Sequence, residues 1–500
     1  MSSPRNRLAA PLLCVAAVLA VTSAARAFSA DVNAREADGS TALLWAAHRG
    51  DADEVKQLIR AGADVSAANR YGATPMSEAA TAGDATILAL LLKAGADANS
   101  PNAEGQTALM AVARTGNVEA AKLLLRHGAN VNAQEQWAGQ TALMWAAAQS
   151  QPEMVKLLVK HRADVNARAV VREWPRKVTA EGRPKDMNRG GLTPLLYAAR
   201  EGCIECARYL LAAGADIDLP DPDNTTPLLL ALMNLRWDFA SYLITAGADV
   251  NAWDFWGQAP LYMAVDMNTL PRGGRIDLPS GDKTAGIDVI RMLLEAGANP
   301  NAQLKLRPPY RNVPMDRYAD RILTTGATPL LRAAKAGDTP ALELLLKHHA
   351  LVDLPNMDNI TPLMAAAGAG RPTGATRGKF KTESDAVASY RILKAAGGDV
   401  NIASRAGETA LHGAALNGWT SLVEILVADG ARLEVQAVQA GLTPLDFALG
   451  RYQPAFLEPK PRAYEKTAAL LRSLGAKIEH PNLPPWPGVP TPTITAAVPD

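Results

Sequence analysis

Aromatic residues make up only 5% of this 500-residue chain, which also has just three cysteines and seven histidines. The histidines are scattered without the convergent spacing a metal ion needs, so no metal and no cofactor is expected. Charge of one sign is missing too: the formal net charge is +1, and no overall basicity points to nucleic acid. Catalytic signatures are absent as well. There is no G-x-S-x-G, no H-E-x-x-H, and no Gly-rich loop opening a helix after a strand. The stretch GAGRPTGATRGKFKT fails as a phosphate loop, because Gly374 and Gly378 are four apart rather than five and Phe380 follows Lys379 where a hydroxyl is required. Past the first 27 residues, no run is long and apolar enough to span a bilayer.

What is present is an ordinary globular composition, 48% apolar and 20% charged, preceded by a segment of another kind. Residues 1–27 carry Arg5 and Arg7, an apolar run from Leu8, and Ala25-Arg26-Ala27. A basic start, an apolar middle and a small-x-small end are the form of a secretory signal peptide. The mature protein is therefore expected to begin at Phe28, to be exported to a periplasm or outside the cell, and to carry a net charge of −2.

The remainder is organised by repetition. Phrases such as STALLWAA, QTALMWAA and LTPLLYAA open at Thr41, Thr74, Thr107, Thr141, Thr193, Thr226, Ala259, Thr328, Thr361, Thr409 and Thr443. Successive openings lie 33, 33, 34, 52, 33, 33, 69, 33, 48 and 34 residues apart, a period of 33 with insertions. In one copy, Thr328 can cap a first helix and Pro329 suits its first turn. Gly337 breaks the chain, PALELLL offers a second apolar helical face, and most copies close on GAD, with Gly as a left-handed cap. A turn containing Asp or Asn before Gly then projects as a hairpin-like finger.

This period and the T-P-L-x-x-A phrase resemble the ankyrin repeat. The resemblance covers residues 28–480 in eleven copies and implies an all-α repeat solenoid of stacked helix-turn-helix units with fingers. The family's histidine at the fourth position occurs only at His412. Apolar contact between repeats is expected to replace its hydrogen bond elsewhere. Residues 481–500 hold seven prolines and read as an extended tail.

Departures from the period carry the functional reading. Insertions fall near 168–189, 268–284, 303–321, 370–382 and 451–460. The first four carry +4, +3, +1 and +4 when ordered 168–189, 303–321, 268–284 and 370–382, which favours a partner with an anionic surface. The finger entering the seventh repeat is NAWDFWGQAPLY, with Trp253, Phe255 and Trp256 in four positions. The same repeat has Ala259 for the capping Thr and Tyr262 at the fourth position. Two readings stay open: the rings form a binding hot spot, or the following finger at 303–321, with Tyr310 and Tyr318, folds over them.

By the resemblance, the array is a non-catalytic scaffold that holds another protein or peptide on its fingers and first helices. The expected contacts are Trp253, Phe255, Trp256 and Tyr262, supported by Arg307, Tyr310 and Arg311. The competing reading is an exported enzyme or small-molecule binder whose site is built from the insertions. Cys203 and Cys206, the only cysteines after processing, are spaced for a local disulfide.

Overall fold

The structure, a computed structural model, describes residues 31–173, 177–178, 185–186, 189–268, 281–306, 322–369, 381–438, 441–451, 462–477 and 480. Among these residues lie twenty-two helices and two strands of two residues each, and the fold is an all-α repeat solenoid. The chain divides into two compact units, one of Met1–Val112 and Glu119–Ala129, the other of Ala113–Val118 and Asn130–Asp500.

In the first unit, helices Ala42–Arg49 and Ala52–Arg60 form one repeat, and Pro75–Ala82 and Ala85–Lys93 the next. First helix packs on first helix and second on second. The alanines in STALLWAA and ATPMSEAA explain the close approach: Ala46, Ala47, Ala79 and Ala80 are all fully buried. In the second unit the same first-helix stack runs from Ala142–Ala148 through Pro194–Glu201, Pro227–Met233, Pro260–Asn268, Pro329–Ala336, Pro362–Ala366 and Ala410–Asn417 to Pro444–Ala448.

Local chemistry sets each helix start. The hydroxyls of Thr41, Thr193, Thr226 and Thr328 accept the backbone N–H three residues on at 3.1–3.3 Å, satisfying a donor that the helix leaves unpaired. At the fourth position the structure adds something to the sequence reading. His412 Nδ1 accepts from the Thr409 N–H at 3.0 Å, but Ser77 Oγ does the same for Thr74 at 2.8 Å and Asp446 for Thr443 at 3.0 Å. Three copies thus close the capping box with a polar side chain, and the other fourth-position side chains described in the second unit are buried apolar groups or Tyr262. Burial holds the His412 imidazole down to about 4, so it stays neutral and Nε2–H donates to the Leu442 carbonyl.

Several fingers are closed by one acceptor side chain. Asn69 accepts from Tyr71 N–H at 3.0 Å and Ala73 N–H at 2.9 Å in the first unit, and Asp221, Asp254 and Asn356 repeat the pattern in the second. Backbone bonds join successive fingers: Phe255 N–H to Asp223 O at 2.8 Å, Lys305 N–H to Trp256 O at 2.9 Å, and Met357 N–H to Thr325 O at 2.9 Å. The asparagine of the VNA phrase links repeats on another edge. Asn251 donates to Gly297 O at 3.0 Å and accepts from Asn299 N–H at 2.8 Å. The insertion at 168–189 lengthens one finger into a ribbon, in which Lys177–Val178 pairs antiparallel with Lys185–Asp186 and Val171 bridges Gly190.

Candidate protein-binding surface

The surface lies in the second unit, where the finger of the seventh repeat meets that of the eighth. Asp254 organises it. Its carboxylate accepts from Trp256 N–H at 3.0 Å and Gln258 N–H at 2.8 Å, a turn that throws Phe255 outward. The carboxyl is buried, and that burial pushes it up to about 7, although the two N–H bonds pull the other way; the nearby carboxylates of Asp221 and Asp223 push it further up.

Trp253 is 47% exposed and Phe255 40%. The Lys305 ammonium sits 2.9 Å from the centre of the Trp253 ring, covering one of its faces as a cation–π pair. Trp256 is half-buried, meets Phe255 edge to face at 5.5 Å, and offers its carbonyl to Lys305 and Leu306 N–H groups. Beside Trp253 lies an open pocket of about 370 Å³, lined also by Asn251, Asn299, Gln303 and Lys305.

Tyr262 does not join this surface. At 2% exposure it is among the largest fully buried side chains, because the first helix Pro260–Asn268 is buried along almost its whole length. The ring fills core between stacked repeats, which corrects the expectation that it contacts a partner. Arg307, Tyr310, Arg311 and Tyr318 lie outside the described residues, as do residues 1–27, the tail 481–500, half of the insertion at 168–189 and most of each other insertion. The sequence reading missed Lys305, whose role depends on a ring 52 positions earlier. It also missed the buried ion pair of Asp266 and Arg332, which joins the first helices of the seventh and eighth repeats.

Other fingers of this unit carry exposed apolar tips. Trp137 is 73% exposed and lies under the Arg172 guanidinium at 4.8 Å, next to exposed Val170 and Val171. Leu306, Met357 and Val438 are exposed at the tips of later fingers. In the first unit, Tyr71 holds the corresponding tip and is exposed. Cys203 and Cys206 are joined by a disulfide with Cα atoms 5.3 Å apart, where the second helix Ile204–Ala212 begins. Among the described residues, no three His, Cys, Asp or Glu side chains gather as metal ligands, and no helix is long and apolar enough to cross a membrane.

Comparison with known families agrees with this architecture. A model described as ankyrin repeats (3 copies) matches residues 13–102 and 78–169. Ankyrin repeats (many copies) matches 195–244, and the single ankyrin repeat matches 325–357 and 406–437. These matches together cover more than half of the chain, which belongs to the ankyrin-repeat family. Among curated relatives, human ankyrin repeat and SOCS box protein 16 is 34% identical over 197 residues, 36% of this chain and 42% of the relative. The chicken nuclear factor NF-kappa-B p105 subunit is 34% identical over 206 residues, 40% of this chain and 16% of the relative. The chain thus spans less than half the length of either one.

Proposed function

We propose that this protein is an exported, non-catalytic scaffold that holds another protein or peptide against the finger tips of its second unit, centred on the seventh repeat. The observation that carries the proposal is the run of large apolar side chains exposed at finger tips: Trp137, Trp253, Phe255, Leu306, Met357 and Val438. Apolar groups of this size left in water cost free energy that a partner recovers on covering them. Aromatic rings bury much area at little entropic cost, which suits them as anchors. The pocket beside Trp253 is open to solvent and bordered by an exposed ring.

The cations beside these rings, Lys305 at Trp253 and Arg172 at Trp137, favour a partner with an anionic surface. The charge of the insertions acts in the same direction. Export rests on the composition of residues 1–27, and Edman sequencing of the secreted protein is expected to begin at Phe28.

The test is capture of partners from the exported fraction by the mature chain and by a Trp253→Ala, Phe255→Ala double variant. A partner held by the first and lost by the second, with thermal unfolding unchanged, supports the proposal. Equal capture by both overturns the assignment to the seventh repeat.

A further inference from the structure

The position before the second helix holds an aspartate in three repeats of this array. Asp51, Asp84 and Asp338 stand there, and each carboxylate accepts the N–H three residues on, at 2.9, 3.0 and 3.3 Å. The repeat that opens at Thr193 has Cys203 in the same place. Its Sγ accepts the Cys206 N–H at 3.3 Å, where Asp51, Asp84 and Asp338 hold a carboxylate oxygen in their own repeats. A sulfur in that place takes up negative charge with the stabilisation that a helix start gives to an anion.

Two further features bear on its reactivity. Cys203 is partly exposed whereas Cys206 is fully buried, so an incoming reagent reaches one sulfur and not the other. The Arg236 side chain also runs over the adjacent Gly202, with Cδ 2.9 Å from the position a Cβ there would occupy, and its Nε donates to the Arg200 carbonyl at 3.1 Å. A partly exposed sulfur at a helix start, bonded to a buried one three residues on, is the arrangement of an exchange-active pair.

We propose that Cys203–Cys206 is a reversible dithiol–disulfide site that takes a protein dithiol as substrate, with Cys203 as the exchanging sulfur and Cys206 as the resolving one. A substrate thiolate attacks Cys203 Sγ. The Cys203–Cys206 bond breaks, and its electron pair leaves on Cys206 Sγ, which takes a proton. The second substrate thiolate attacks the mixed disulfide at the substrate sulfur and releases Cys203 as a thiolate. Two electrons have passed from the substrate dithiol, now a disulfide, to the cysteine pair, and the remaining proton goes to solvent. A thiolate stabilised by the helix start leaves readily in that second step.

The experiment uses the mature chain with Cys206→Ala, a residue the third repeat already has at this register in the buried Ala120. Its single thiol is alkylated with iodoacetamide across pH 5–10, alongside glutathione as the ordinary thiol. The expected result is a rate profile shifted at least one pH unit to the acid side, with about a tenfold larger thiolate fraction at pH 6.5. In a second measurement, on the unmutated protein, the disulfide is expected to equilibrate with a glutathione redox buffer under native conditions and to oxidise a reduced dithiol peptide. A Cys203 profile matching glutathione overturns the proposal. So does a native disulfide that exchanges only after unfolding, which marks the pair as a structural staple.

Discussion

Replacing Asp254 by Asn tests how the central finger is held. The acceptor oxygen for the Trp256 and Gln258 N–H groups is kept and only the charge is lost, while Asn69 and Asn356 show that asparagine suits this position. The new amide has a precedent for a partner, since Asn69 donates to Ser40 Oγ at 3.2 Å and Thr225 stands in the place of Ser40. The magnitude follows from the titration. With its carboxyl raised from 3.8 to about 7, Asp254 gives its full stability only below about 3.8, and that stability is lost as pH rises to about 7.

The slope in that window is about 1.4 kcal/mol per pH unit, so between pH 5 and pH 8 the unmutated protein loses on the order of 3 kcal/mol that the asparagine variant keeps. Asp221 is present in both proteins, so most of its own pH dependence cancels in the comparison. Thermal unfolding and hydrogen exchange of the finger amides, run at pH 5 and pH 8, read the difference. A stability gap that is the same at both pH values, or one that narrows toward pH 8, refutes the argument that a buried carboxyl is being forced to ionise.

Three further outcomes are expected. Ala259→Thr restores the threonine that opens ten other repeats and raises stability by about 1 kcal/mol, read as a higher urea midpoint at constant slope. His349, at φ 67, holds a left-handed position where most repeats have glycine; His349→Gly is expected to add about 0.5–1 kcal/mol, and an unchanged or lower melting temperature would contradict it. Asp446 is buried, yet bonds from His480 and Thr443 and the Arg451 guanidinium outweigh that burial and hold its carboxyl down to about 2. Its contribution is full above 3.8 and fades as pH falls toward 2, so Asp446→Asn is expected to cost about 2 kcal/mol at pH 7 and little at pH 2, as measured by unfolding at both.

The sequence by itself determined the repeating unit. Threonine caps, the left-handed glycines and the Asx-closed fingers are bonds between residues two to five apart, so their spelling in the chain is enough to place them. Stacking also followed, because alanines at a fixed register leave room for only one close approach. The position of the aromatic finger was legible for the same reason. Which of its rings meet solvent was not. Trp253 is covered on one face by a lysine of the next finger, Tyr262 disappears into the core, and the Asp254 carboxyl feels acids from the finger before it. The ion pair of Asp266 with Arg332 likewise joins residues 66 apart. These outcomes belong to the tertiary structure because desolvation and Coulomb forces depend on what the stack brings within a few ångströms, and the insertions between repeats break the simple period that would otherwise have told which residues those are.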